Sequence, residues 1–210
     1  MTRACSALAL STALATAAAC GPATVTASSK VPATRNFTAA IESSVPYQPA
    51  AKCPVGTKLS TDKPGPIQFR NLLLATYGTS VGGLTVFNGI TRPCDGTVSE
   101  HSEGRALDWG MDYRNATMRA DGQAVINWLF ATDKYGNQHA MARRLGIMYV
   151  IWNHQIYGSW TGYAPAPYSC GTDPTACHVD HIQLRPGGRA GQDLVLHRKG
   201  SGLTCRYKML

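Results

Sequence analysis

The chain has 210 residues, and its 20 Lys and Arg outnumber its 12 Asp and Glu to give a formal net charge of +8. Residues 183–210 supply +5 of this charge, since they hold six Lys and Arg and one Asp. The rest of the chain is only mildly basic and has no basic patch interleaved with aromatic residues. This distribution argues against a nucleic-acid partner, which such a patch would serve.

The first 20 residues are predicted to be a secretory signal peptide. Arg3 precedes a run of small and apolar residues that ends in Ala-Ala-Ala-Cys, an arrangement typical of such signals. Ala, Ser and Thr dilute the run, so it is a poor membrane anchor, and we expect no transmembrane anchor elsewhere. Cys20 leaves two alternatives, ordinary cleavage after an Ala-x-Ala site or lipid attachment as in a lipoprotein. Both predict a secreted, extracellular or cell-envelope protein.

Three further regions follow the signal. Residues 21–52 are rich in Ala, Pro, Ser and Thr without periodicity, which predicts a linker. Residues 53–184 have the size of one ordinary domain. Residues 185–210 show neither strand alternation nor a clean helical pattern, so they are predicted to be an irregular basic tail.

Within the domain, hydrophobic periodicity predicts both helices and strands. The predicted helices cover residues 65–78, 121–136, where Asp121 is the N-cap candidate, and 138–146. The predicted strands cover residues 83–90, 105–112, 147–153, 154–160 and 178–184. Because the elements mix without a βαβ rhythm, the expected fold class is α+β. We expect a small domain in which two or three helices flank an antiparallel sheet.

Cysteine usage agrees with export. Five cysteines follow Cys20, and two disulfides among them are expected in an oxidising compartment, Cys53–Cys94 and Cys170–Cys177. A zinc cluster is the alternative, and the absence of any Cys-x-x-Cys pair argues against it. Cys205 is left without a partner.

The segment SEHSEGRALD, residues 99–108, places a histidine and an aspartate around a glycine. Gly104 allows a tight turn, after which Asp108 can point back toward the imidazole of His101. One imidazole nitrogen and one carboxylate oxygen suit zinc, which binds such ligands at about 2.0–2.2 Å. A surface turn with a helix cap or salt bridge is the alternative for this pair.

This segment resembles the Ser-x-His-x-x-Gly-x-Ala-x-Asp signature of the zinc D-Ala-D-Ala carboxypeptidase and hedgehog-type superfamily, which includes lysostaphin-like endopeptidases. The matching residues are Ser99, His101, Gly104, Ala106 and Asp108. The resemblance covers residues 53–182 and is closest to a domain of exported proteins from high-GC Gram-positive bacteria. It implies that His101 and Asp108 are zinc ligands.

The resemblance also implies a third ligand, a histidine on a later strand. The expected pattern is His-x-Asp-His-x-His, whereas this chain has Gln183 at the last position. In an alternative register His181 is the third ligand and His178 is the catalytic base. We therefore expect His101, Asp108 and His181 to be the metal ligands and His178 to be the catalytic group. Zinc binding is expected to be weakened or lost.

An intact site of this type would hydrolyse a peptide amide, because zinc lowers the pKa of bound water toward about 7 and polarises the carbonyl. The implied partners are peptidoglycan or short peptides. The alternative is a non-catalytic wall-binding module on the same fold, so enzymatic activity stays open. Arg70, Ser99 and Trp160 are the candidates for substrate contact, although a solvated helix face is the alternative for Arg70.

The tail suggests a further hypothesis. The resemblance ends at Ile182, just before the position of the expected third ligand, and the tail holds most of the excess positive charge. We therefore hypothesise that residues from Gln183 onward are translated out of frame. In that case the final strand pairing and part of the core cover are expected to be lost.

Overall fold

A computed structural model describes residues 30–33, 44–57, 61–186, 195–199 and 202–206, the last two ranges as strand backbone. The predicted signal peptide, including Cys20, and most of the predicted linker lie outside the described residues. The α-helices are α1 (Pro64–Tyr77), α2 (Ala116–Phe130) and α3 (Ala140–Arg144), with a 3-10 turn at Ser159–Thr161. The short strands before the first motif are β1 (Ser80–Val81), β2 (Leu84–Thr85) and β3 (Asn88–Gly89). The later strands are β4 (Leu107–Trp109), β5 (Ile147–Trp152), β6 (Gln155–Gly158), β7 (Pro165–Pro167), β8 (Ile182–Pro186), β9 (Val195–Lys199) and β10 (Gly202–Arg206).

The main sheet has six antiparallel strands in the order β3-β4-β8-β5-β6-β7. This mixture of helices and antiparallel strands confirms the predicted α+β class. The strand β8 lies centrally and pairs with both β4 and β5, so that Gln183 is opposite Asp108 on one side and Ile151 on the other. Among the described residues, no helix is long and apolar enough to cross a membrane.

One face of the sheet packs against the helices. Successive residues of a strand point to opposite faces, and Trp109, Leu184 and Trp152 point into the core with α1 and α2. Close packing is visible at Gly122 of α2, where an added Cβ would lie 2.7 Å from the Trp152 ring. A larger residue at this position would therefore push α2 off the sheet.

The other face of the sheet is partly covered by residues 44–50. Val45 is buried and packs against Met148, Tyr149 and Ile151. The hydroxyl of Ser159 donates to the carbonyl of Val45 at 2.7 Å. The packed part of the chain thus begins before the predicted boundary at Cys53, because a few apolar residues within the Ala/Pro-rich segment find partners on the sheet.

Local signals explain the ends of the helices. The side chain of Asn115 accepts hydrogen bonds from the backbone N–H groups of Thr117 and Met118, at 3.0 and 3.1 Å, so α2 begins earlier than predicted. Asp121, the predicted N-cap, lies buried within α2. The helix α1 has Pro64 at its start and ends at Tyr77, followed by the capping residue Gly78, whose φ is 78°.

Two expectations for the last part of the chain are wrong. The predicted strand 178–184 begins only at Ile182, because residues 178–180 are in turns and His181 lies outside the strand. The tail is also more regular than expected, since β8 runs to Pro186 with pairing on both sides and β9 and β10 form an antiparallel hairpin. The final strand pairing is therefore retained, and the side chain of Leu184 is fully buried in the core.

Both predicted disulfides are confirmed. Cys53 and Cys94 are joined with their Cα atoms 5.7 Å apart, and Cys170 and Cys177 are joined at 5.1 Å. Such bonds persist in an oxidising, extracellular-type environment. The side chain of Cys205 lies outside what the structure describes.

Replacing both Cys170 and Cys177 by serine is expected to lower the free energy of unfolding by about 2.5 kcal/mol. The residues are only seven positions apart, so the bond removes a modest amount of loop entropy from the unfolded chain. Urea unfolding followed by circular dichroism measures the change. An unchanged midpoint would show that the loop needs no covalent closure.

Candidate functional site

The face of the sheet turned away from the helices carries a cluster of polar side chains. Register pairs Asp108 of β4 with Gln183 of β8, and the turn at residues 99–104 brings His101 over both. The Nε2 atom of His101 lies 3.1 Å from Asp108 Oδ1 and 3.0 Å from the Gln183 amide. His101 and Gln183 are both buried. Residues 82 positions apart in the sequence are thus in direct contact.

The turn at residues 99–104 depends on Gly104. Its φ is +70°, a left-handed conformation that favours glycine. The Gly104 carbonyl accepts a hydrogen bond from Lys63 N–H at 2.8 Å, which ties the turn to the start of α1. An added Cβ would overlap the carbonyl oxygen of Thr61 and lie 2.7 Å from its carbon.

Two further histidines complete the cluster. His178 Nε2 lies 2.5 Å from the Gln183 amide. His181 Nε2 lies 3.6 Å from Asp108 Oδ1, and its Nδ1 donates to Asp180 at 2.7 Å. The ring centroids of His178 and His181 are 4.6 Å apart. The structure therefore brings together all four residues predicted as ligands or catalytic group, with Gln183 between two of them.

Arg185 decides the orientation of the Gln183 amide. When the amide oxygen faces Arg185, it accepts hydrogen bonds from the guanidinium at 2.9 and 3.2 Å and from His101 Nε2 at 3.0 Å, while the amide nitrogen donates to His178 Nε2. His101 Nδ1 donates to the Ile90 carbonyl at 2.6 Å. Both ring nitrogens of His101 then face oxygens, so Ile90, Asp108 and Gln183 together engage the whole ring.

Arg185 lies in the same sheet face and is largely but not fully buried, with its side chain 13 % exposed. It forms an ion pair with the buried Glu100 and lies 4.8 Å from the ring centroid of Tyr149. Burial, with a smaller contribution from the nearby positive Arg92, lowers the pKa of Arg185 to about 9. Sequence reasoning missed Arg185 and Glu100, although strand alternation from Gln183 would have placed Arg185 on the same face.

The predicted substrate contacts have different surroundings. Ser99 is buried, and its hydroxyl oxygen accepts from Arg92 at 3.2 Å and from the backbone N–H of His101 at 3.3 Å, so it positions His101. Arg70 lies on α1 and pairs with Asp62 at 3.7 Å. Trp160 is 51 % exposed and lies at the end of the sheet face that also carries Tyr149.

The expected zinc site can be tested against this geometry. Three protein ligands at about 2.0–2.2 Å from one ion would lie roughly 3.5 Å from each other. His101 and Asp108 meet this condition, with the two ligand atoms 3.1 Å apart. The other group in contact with His101 Nε2 is the neutral Gln183 amide, which has weak affinity for zinc. In the described part of the chain, the ligand atoms of His101, Asp108 and His181 do not all lie within 4.8 Å of one another. The residues present therefore do not fit a three-ligand zinc site.

A different group in the described part of the chain could hold a metal ion. Ligand atoms of His154, Cys170 and Cys177 all lie within 4.8 Å of one another. The two cysteines are joined in the disulfide, and a metal ligand must be a free thiolate. This group can therefore bind a metal only after the disulfide is reduced.

His178 is expected to make stability depend on pH. Burial, and then the neighbouring His181, lowers the pKa of His178 below its ordinary value near 6.5. The unfolded chain then binds the proton more readily than the folded chain. The free energy of unfolding is therefore at its highest above pH 6.5 and falls as the pH drops toward the lower pKa of the folded state. Thermal melts from pH 7.5 to 5 measure this effect.

The substitution His178→Asn tests the assignment, because asparagine does not titrate and tolerates the positive φ of 55° at this position. The variant should lose part of the pH dependence. A matched control is His154→Asn, at an exposed position with φ 61°, which should keep it. Identical pH profiles for wild type and His178→Asn would contradict the assignment.

Comparison with known proteins places most of the domain in one family. The sequence model of the family described as VldE, C-terminal domain, matches residues 63–179, more than half of the chain. This range includes His101, Asp108 and His178 and ends before His181 and Gln183. No curated protein and no solved structure matches the chain significantly.

Proposed function

The chain belongs to the VldE C-terminal domain family, and from the geometry of its histidine cluster we propose that it is an exported, peptidase-like domain that binds peptidoglycan peptides. The resemblance of residues 99–108 to zinc peptidases supports the proposal. In this proposal the third zinc ligand has been replaced, and the surface at the histidine cluster binds its peptide without hydrolysing it.

One observation carries the proposal. The Gln183 amide lies between His101 and His178, at 3.0 and 2.5 Å, where a third ligand and a metal ion would need to be. The amide is held by its contacts with Arg185, and the His101 ring is engaged on both nitrogens. Binding zinc would require breaking several buried hydrogen bonds, each of which is costly to leave unmade.

The edge of the histidine cluster still offers groups suited to a peptide. Asp108 is partly exposed, and its carboxylate can accept a hydrogen bond from a peptide N–H or pair with an amine. His181 lies beside it, with the half-exposed Phe87 ring 6.0 Å away as an apolar wall. A short peptide would therefore meet a mixed polar and apolar surface, as is usual in binding pockets.

Export is supported by the two disulfides. The peptidoglycan of the cell wall is then an available source of short peptides outside the cell. Signal cleavage or lipid attachment at Cys20 would decide whether the protein is released or held at the envelope.

The experiment is calorimetric titration of the folded chain with a synthetic peptidoglycan stem peptide, together with measurement of its zinc content. We expect binding, no stoichiometric zinc and no cleavage of the peptide. Asp108→Asn should weaken binding, while Asp95→Asn, a change at an exposed turn carboxylate, should leave it unchanged. A wild-type chain that does not bind the peptide would refute the proposal.

An active zinc peptidase is the second candidate. The retained contact of 3.1 Å between His101 and Asp108 favours it. It requires one zinc ion per chain and peptide cleavage that chelators abolish, so the same measurements separate the two functions. The out-of-frame hypothesis for Gln183 is decided separately by the nucleotide sequence around codon 183.

A further inference from the structure

An aromatic cavity of ≈ 450 Å³ lies on the same sheet face as the histidine cluster and is lined by Tyr47, Tyr149, Ile156 and Trp160. Two of its rings are unusually open to solvent, since Tyr47 is 58 % and Trp160 is 51 % exposed. The other three tryptophans of the chain are buried. Exposed aromatic rings gathered around a concavity indicate a binding surface.

Gly158 allows the Trp160 indole to pack flat against the backbone. A Cβ at position 158 would overlap the indole and lie 2.6 Å from its Cζ2 atom, so the ring lies directly against the backbone at the end of β6. The 3-10 turn Ser159–Thr161 holds the ring in this place. One side of the indole is thus covered by protein, and half of the side chain faces solvent.

The rings of Tyr47 and Tyr149 are packed against Trp160 at steep angles. Their ring planes make angles of 82° and 69° with the Trp160 ring, at centroid distances of 5.4 and 5.7 Å. The Tyr149 hydroxyl donates to Glu100 at 3.3 Å, which fixes that ring. The cavity is therefore lined by three aromatic rings, two of which are steeply inclined to the half-exposed indole.

The segment that carries Tyr47 is held on both sides of that residue. The Ser159 hydroxyl donates to the Val45 carbonyl at 2.7 Å. Arg105 donates to the Gln48 carbonyl at 2.9 Å. Because the walls are fixed before a ligand arrives, less ordering entropy is lost on binding.

Arg185 connects the cavity to the histidine cluster. Its guanidinium lies over the Tyr149 ring and contacts the Gln183 amide. The strand spacing of about 4.8 Å and the rise of about 3.4 Å per residue place the Trp160 end of β6 about 12 Å from Gln183. A ligand with two linked units could occupy both places at once.

We propose that the cavity formed by Tyr47, Tyr149 and Trp160 binds a pyranose ring of an N-acetylated amino sugar joined to the peptide bound at the histidine cluster. A flat, half-exposed indole suits the C–H face of a sugar, while the other side of the sugar stays hydrated. An apolar peptide side chain would instead favour a closed cavity. Arg185 is engaged by Glu100, so the ligand at this place is expected to be neutral.

The inference rests on the proposed function for the linked peptide, but sugar binding is tested independently. Titrations would use three probes: tri-N-acetylchitotriose, the stem peptide, and a disaccharide-peptide that combines both kinds of unit. We expect the disaccharide-peptide to bind at least about tenfold more tightly than the peptide alone, a difference of about 1.4 kcal/mol. Chitotriose alone should change the tryptophan fluorescence, because Trp160 is the exposed tryptophan.

Trp160→Ala should abolish chitotriose binding in calorimetric titration and remove the tenfold advantage of the disaccharide-peptide over the peptide. Gly158→Ala keeps the indole but displaces it, because the added Cβ would overlap the ring, and it should have the same effect. This second variant keeps the test valid if Trp160→Ala does not fold. Tyr135→Ala changes a tyrosine that is 74 % exposed but lies outside the cavity, and should have no effect. Unchanged sugar binding in both Trp160→Ala and Gly158→Ala would overturn the inference. Chitotriose binding without peptide binding would refute the proposed function and leave the sugar site standing.

Discussion

Replacing Gln183 by histidine is expected to turn the cluster into a zinc site. The new imidazole would take the place of an amide that lies 3.0 Å from His101 Nε2, while Asp108 lies 3.1 Å from the same atom. Two imidazoles and one carboxylate are a common set of protein ligands for catalytic zinc. We expect affinity for zinc to rise at least about 100-fold, or about 2.7 kcal/mol.

Isothermal titration and zinc-dependent thermal stabilisation measure this change, since a ligand that binds only the folded state raises the melting temperature. Gln183→Ala is the matched control, because it removes the amide without supplying a ligand and should not bind zinc tightly. The double variant with His101→Ala should lose the gain. If the wild-type chain already binds zinc as tightly as Gln183→His, the amide does not block the site and the active-peptidase candidate is favoured.

Gly104→Ala is expected to be the most destabilising single substitution in the motif. The left-handed backbone costs a residue with a Cβ about 1–2 kcal/mol, and the overlap with Thr61 adds a further 1–3 kcal/mol or so. The total loss in the free energy of unfolding should be about 4 kcal/mol. Relaxing the overlap would also move His101 away from Asp108.

Gly136→Ala separates the two causes. Gly136 has a φ of +81° but nothing within 4 Å of an added Cβ, so its substitution should cost only the backbone part. Chemical unfolding of both variants gives the comparison. Equal losses would show that the contact with Thr61 is unimportant.

Several features follow from the sequence because they depend on local chemistry. The α+β class is indicated by helical and strand periods within short windows. Both disulfides follow from the small number of cysteines outside the signal and from the predicted export. Asn115 could also have been recognised as an N-cap, because asparagine is a preferred residue there, but the apolar pattern favoured a later start at Asp121.

The composition of the cluster is partly visible in the sequence. The motif at residues 99–108 identifies His101 and Asp108, and the spacing of the later histidines identifies His178 and His181. What the sequence leaves open is which of His181 and Gln183 lies nearest to His101. Only the pairing of β8 with β4 decides that Gln183 lies opposite Asp108, because register depends on contacts between distant strands.

The remaining features depend wholly on tertiary structure. Ala/Pro-rich composition indicates a linker at residues 44–50, yet Val45 is buried because the sheet offers Met148 and Ile151 about a hundred positions away. Arg185 lies in the predicted irregular tail, yet it forms an ion pair with the buried Glu100 and orients the Gln183 amide. Local propensity determined the elements and the reactive residue types, whereas the partners of each buried charge and aromatic ring were decided by strand pairing, which no short window of sequence contains.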